Sequence, residues 1–141
     1  IASLRVKPTP ETRLHIDYDW WERSDQDLRA NMIAQLLPEQ RDFFLDHDAD
    51  QESDWVDPET ADVQRVDALR MALQDAARDP EYFQPPTSLV NAVFRVFLIN
   101  NNFPLSSLEL AEKINRPPNT ILRTLTGRQV YKGIRPYVPE D

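Results

Sequence analysis

Leu14, Ile16, Tyr18 and Trp20 alternate with His15, Asp17, Asp19 and Trp21. This period of two predicts one short, half-buried strand with the adjacent tryptophans on opposite faces. Residues 1–12 before it hold Pro8 and Pro10 and little apolar periodicity, and read as an extended, loosely attached arm. Beyond it the period lengthens. Ser24, with Asp27 three residues on, has the form of a helix cap, and Leu28, Met32 and Leu36 then recur at helical spacing to about Leu37. Pro38 opens a second helical piece to Leu45, since its missing N–H is harmless in a first turn. After an acidic loop over residues 46–57, Asp57 and Pro58 cap and open another helix with the stripe Val63, Val66, Leu69, Leu73 and Ala76.

Asp79-Pro80 and Gln84-Pro85-Pro86 interrupt the helical pattern and mark an internal boundary, giving an acidic helical lobe over residues 1–85 and a second unit over 86–141. Residues 88–101 are apolar on nearly every side, with Arg95 the only charge. They predict a buried central helix against which the N-terminal helices also pack.

The run Leu110-Ala111-Glu112-Lys113-Ile114-Asn115-Arg116-Pro117-Pro118-Asn119-Thr120-Ile121-Leu122-Arg123-Thr124-Leu125 resembles, without a gap, the helix-turn-helix core of bacterial transcription regulators. Ala111 is small where two helices would cross, and Leu110, Ile114, Ile121 and Leu125 would face inward. Asn115 stands where glycine is usual and tolerates positive φ. Arg116 departs from the apolar residue normal at the next position. The resemblance implies that the second helix enters the major groove, with Asn119, Thr120 and Arg123 towards the bases and Arg116 among the contacts. Thr126-Gly127 would close that helix, and residues 128–138 would form two short strands around Lys132-Gly133, similar to the wing of winged-helix proteins. Arg128, Lys132 and Arg135 would then meet the DNA backbone.

Charge sharpens this division. The net charge is -8, but residues 1–83 carry 9 basic and 20 acidic side chains (-11), whereas residues 84–141 carry 7 and 4 (+3). A positive C-terminal part suits a polyanion that the acidic part repels. With no cysteine, the chain offers no disulfide, thiolate metal site or cysteine nucleophile, and a reducing cytoplasmic setting is expected. Two glycines, Gly127 and Gly133, are too few for glycine-rich phosphate loops. No apolar run approaches the roughly 20 residues of a membrane span.

Four other groups of residues carry weaker signals. Asp46, Asp48, Asp50, Glu52, Asp54 and Asp57 have the oxygen spacing of a calcium-binding EF-hand loop, but Gln51 replaces its turn glycine and Asp57 its bidentate glutamate, so a solvated acidic loop is the expectation. Asp17 and Asp19, with Glu22 nearby, are carboxylates of the kind a two-metal nuclease uses, yet no second cluster follows them. His15 and His47 are isolated, which argues against zinc. Trp20, Trp21 and Trp55 suit either core packing or a partner surface.

The expectation is thus a mainly α protein: a helical N-terminal lobe with one short strand, then a C-terminal winged helix-turn-helix. It is expected to be a regulator that binds double-stranded DNA, with no catalytic role, no cofactor and no membrane contact, and to dimerise or recruit a protein through the acidic lobe. The alternative is an adaptor whose winged helix docks on a protein.

Overall fold

The structure, a computed structural model, describes residues 7–46, 52–56 and 63–139. It is mainly helical, with a small three-stranded antiparallel sheet. Two compact units are present: Ile1–Asp25 with Phe83–Asp141, and Gln26–Tyr82. Residues 7–25 therefore group with the C-terminal part of the chain.

In the first unit, strand β1 (Arg13–Ile16) sends Leu14 and Ile16 into the core, fully buried, as the alternation predicts. The predicted strand then stops short, and Tyr18–Arg23 is helix α1. The cause is Asp17, whose Oδ1 accepts from the Asp19 N–H at 3.0 Å and caps the helix. Trp20 and Trp21 consequently do not take opposite faces of a strand. Trp21 is buried, Trp20 is half-buried, and their rings meet edge to face at 5.2 Å. Ser24, expected to start the next helix, instead ends this one.

Helix α5 (Leu89–Ile99) is capped by Ser88 and buries Ala92, Val93, Phe94, Val96, Phe97 and Leu98. After it, Asn102 Oδ1 accepts from the Ile16 N–H at 2.8 Å and its Nδ2 donates to the Ile16 carbonyl at 2.9 Å, so a side chain completes the end of β1. Next come β4 (Leu105–Ser106), α6 (Ser107–Ile114), α7 (Pro118–Leu125) and β5 (Ile134–Pro136). The sheet order is β4-β1-β5, both pairings antiparallel, so a strand from the start of the chain sits between two from its end.

The expected pair of wing strands around Lys132-Gly133 is corrected accordingly. Only β5 forms, and its partner is β1 rather than residues just before the turn. Trp21 explains the geometry: its Nε1 donates to the Lys132 carbonyl at 2.9 Å, and the Asp17 N–H donates to the Gly133 carbonyl at 2.8 Å. Gly133 has φ +74°, and a Cβ there would lie 2.7 Å from Trp21 Nε1. The expected loose arm is likewise tied down in its described part, where Ser107 Oγ donates to the Pro10 carbonyl at 3.1 Å. Residues 1–6 lie outside the described residues.

In the second unit, Asp27 rather than Ser24 caps α2 (Leu28–Ile33). That helix ends before Leu37 because the Gln35 and Leu36 N–H groups turn to carbonyls three residues back. Helix α3 (Pro38–Asp46) opens at the predicted proline. Gln40 Oε1 accepts from the Leu37 N–H at 3.0 Å, and its Nε2 donates to the Ala72 carbonyl at 3.0 Å. Residues 52–56 and 63–67 correct two expectations. Part of the acidic loop is strand β2 (Glu52–Val56), and the front of the next predicted helix is strand β3 (Val63–Asp67), its antiparallel partner with Val56 opposite Val63. Valines at 63 and 66 suit a strand.

Helix α4 (Ala68–Ala76) keeps the rest of the predicted stripe, with Leu69, Leu73 and Ala76 buried. Glu52 and Asp54 thus lie in extended chain, which cannot curl around one cation as an EF-hand loop does. Asp48, Asp50, His47 and the Asp57-Pro58 cap lie outside the described residues. Among the described residues, no helix is long and apolar enough to cross a membrane.

Candidate nucleic-acid interface

Helices α6 and α7 form two short amphipathic segments joined by a three-residue turn, and the sequence gives each boundary a cause. Ser106 Oγ accepts from the Glu109 N–H at 3.2 Å while Glu109 Oε1 accepts from the Ser106 N–H at 3.0 Å, a reciprocal capping box. Asn115 ends α6 in the left-handed conformation, φ 56° and ψ 50°, as read from its position. Pro117 is extended, and Pro118 occupies the first turn of α7, where no N–H is needed. Leu110, Ile114, Ile121 and Leu125 are all buried, so the predicted inward face is present in full.

The outward side of α7 carries Asn119 and Arg123, four residues apart and both exposed, with Thr120 half-buried beside them. Arg128, just beyond the helix, is also exposed. The other expected contacts are engaged within the fold. Arg116 donates through its guanidinium to the Thr87 carbonyl, tying the turn to the start of α5. The hydrogen bond gives the guanidinium a partner within the fold. Lys132 is half-buried with Nζ 5.6 Å from the centre of the Phe94 ring, and burial holds its ammonium below the usual lysine range. Arg135 lies on β5 with Nη1 3.3 Å from Asp17 Oδ2.

A second polar surface is assembled by the sheet. With Leu14, Ile16 and Ile134 inward, the opposite phase of β1 and β5 carries Arg13, His15 and Arg135, and Tyr137 continues it, its N–H donating to the Arg13 carbonyl at 2.8 Å. His15 sits directly across from Arg135. Its ring meets that of Tyr137 edge-on at 5.1 Å. Burial depresses the His15 pKa; Asp17 pulls it back up, and Arg135 adds to the depression. Arg13 and Tyr137 were not among the sequence candidates. Arg13 shares the alternation phase of His15, which was a usable signal, whereas Tyr137 joins them only through pairing across more than 100 residues.

Asp17, considered above with Asp19 and Glu22 as a metal-binding carboxylate, is committed to the α1 cap and to Arg135. Among the described residues, no three histidine or carboxylate side chains cluster for one metal ion. Charge separates by unit much as it does along the sequence. The unit built from residues 1–25 and 83–141 has 11 basic and 9 acidic side chains (+2), and residues 26–82 have 5 and 15 (-10). No protein-family model, curated protein or solved structure matches this chain.

Proposed function

We propose that this protein is a regulator that binds double-stranded DNA through α6 and α7 acting as a helix-turn-helix, with α7 in the major groove. The observation that carries this reading is the side of α7 on which exposed Asn119 and Arg123 stand one turn apart, followed by exposed Arg128. Neither arginine has an ion-pair partner among the described residues, so both are available to phosphates or base edges. In this reading the unit is a variant winged arrangement, in which β1 supplies the strand that a wing hairpin would provide. The unit of residues 26–82, at -10, repels a polyanion and serves dimerisation or a protein partner.

Fluorescence anisotropy with a labelled mixed-sequence duplex at low salt tests the reading. The expected outcome is salt-dependent binding that Arg123→Ala weakens roughly 5- to 100-fold, and a salt slope that falls by about one when Arg128 is replaced by Ala. No binding, or binding indifferent to both changes, removes the DNA reading. The adaptor reading would then stand on Phe103 and Leu108, 62% and 44% exposed around the start of α6.

A further inference from the structure

The outward face of the sheet has a composition that the helix pair lacks, two cations interleaved with two rings. The β1–β5 register places His15 opposite Arg135, and the Tyr137 N–H on the Arg13 carbonyl continues the pairing so that Arg13 and Tyr137 are neighbours across the strands. The two arginines therefore occupy one diagonal of a four-residue patch, with Cβ atoms about 7 Å apart by strand geometry. The two rings occupy the other diagonal and touch. The opposite side of the same strands is the buried one, with Leu14, Ile16 and Ile134 at 0 to 1% exposure. The patch therefore rests on a rigid base. Arg13 and Arg135 are exposed, and Tyr137 remains 39% exposed despite its contact with His15.

We propose that this sheet face is a binding site for single-stranded nucleic acid, with Arg13 and Arg135 on its phosphates and the Tyr137 ring stacking on a base. The pattern selects that ligand on chemical grounds. Cations on a flat surface attract any polyanion, but a ring set between them adds affinity only when a flat group can lie against it. In a duplex the base faces are hidden in the stack, whereas a single strand offers them freely. The site uses none of the α7 residues and goes beyond the duplex reading.

Asp17 supplies the most specific test, because its carboxylate at 3.3 Å holds Arg135 back from a phosphate. Asp17→Asn removes that competitor while keeping an oxygen that can cap α1. The measurement is anisotropy of a labelled single-stranded oligonucleotide of about 12 nucleotides with the full chain at low salt, in competition with unlabelled single strand, unlabelled duplex and inorganic polyphosphate. Expected are binding that Tyr137→Ala weakens about fivefold or more and Tyr137→Phe preserves, weakening by Arg13→Ala, tightening by Asp17→Asn, and displacement by single strand ahead of either competitor. Absence of binding overturns the proposal, as does affinity unchanged in Tyr137→Ala. Equal displacement by polyphosphate overturns it too, because the patch is then only a charge site. Preferential displacement by duplex assigns the binding to double strands and equally overturns it. Arg123 and Arg128 act in the duplex assay and Tyr137 in this one, so either proposal can fail alone.

Discussion

The exposed side of α7 and the outward face of the β4-β1-β5 sheet are both polar surfaces of one unit, yet they are built by opposite routes. On α7, Asn119 and Arg123 are brought together by a single turn of backbone, and the buried residues that hold them, Ile121 and Leu125, each lie two residues from Arg123 along the chain. On the sheet, Arg13 and His15 meet Arg135 and Tyr137 only because β1 pairs with β5. Trp21 and Gly133 lock that pairing by fitting ring against backbone. A surface made locally depends on caps and helix packing. One made by distant pairing depends on a few contacts that hold two chain ends together, and is the more vulnerable to a single change.

The largest effect should come from Trp21→Ala. It removes a buried ring that contacts Phe94 at 5.8 Å and donates to the Lys132 carbonyl, and is expected to cost about 3–5 kcal/mol in denaturant unfolding. Gly133→Ala should follow, at about 1–3 kcal/mol, since it combines positive φ with a Cβ pressed on Trp21. Both changes strike the sheet side. Amide exchange should therefore rise first in β1 and β5, and simultaneous equal loss in α6 and α7 would contradict the contrast between the two surfaces.

Changes on the helix side are smaller. Ser106→Ala removes the oxygen that caps α6 and one half of the capping box, and is expected to lower stability by about 1 kcal/mol. Asn115→Gly should raise it by roughly 0.5 kcal/mol, because φ 56° penalises a residue with Cβ; a measured loss would mean that the Asn115 side chain contributes more than its backbone shape. The smallest effect is the pH response of His15. Its pKa in the fold lies below the ordinary 6.5, so as pH falls through 6.5 the unfolded chain binds more protons and stability decreases. An NMR titration should place the His15 midpoint below 6.5, and His15→Gln should flatten this part of the stability profile.

Much of the C-terminal unit is legible in the sequence, and for one reason: its signals are short-range. Ser88, Asn115 and Pro118 mark ends of α5, α6 and α7 because a cap or a proline acts within a few residues of itself. The stripes at Leu110 and Ile114 and at Ile121 and Leu125 need only a helical period. The same reasoning misreads residues 17–24 and 63–67. In the first, alternation suggests strand, while the Asp17 cap turns the chain into helix and carries Trp21 inward. In the second, a helical spacing of Val63 and Val66 with Leu69 cannot register the competing pairing with β2.

The helix pair, the turn at Asn115 and Pro118, its inward face and the uneven spread of charge were legible along the chain, because each depends on residue type and on neighbours a few positions away. Only the tertiary structure decided that β1 sits at the centre of the sheet, that Arg116, Lys132 and Arg135 are engaged within the fold, and that Arg13 and Tyr137 share a surface. Those outcomes come from contacts between positions about 30 to more than 110 residues apart, and no local period or spacing encodes such a partner.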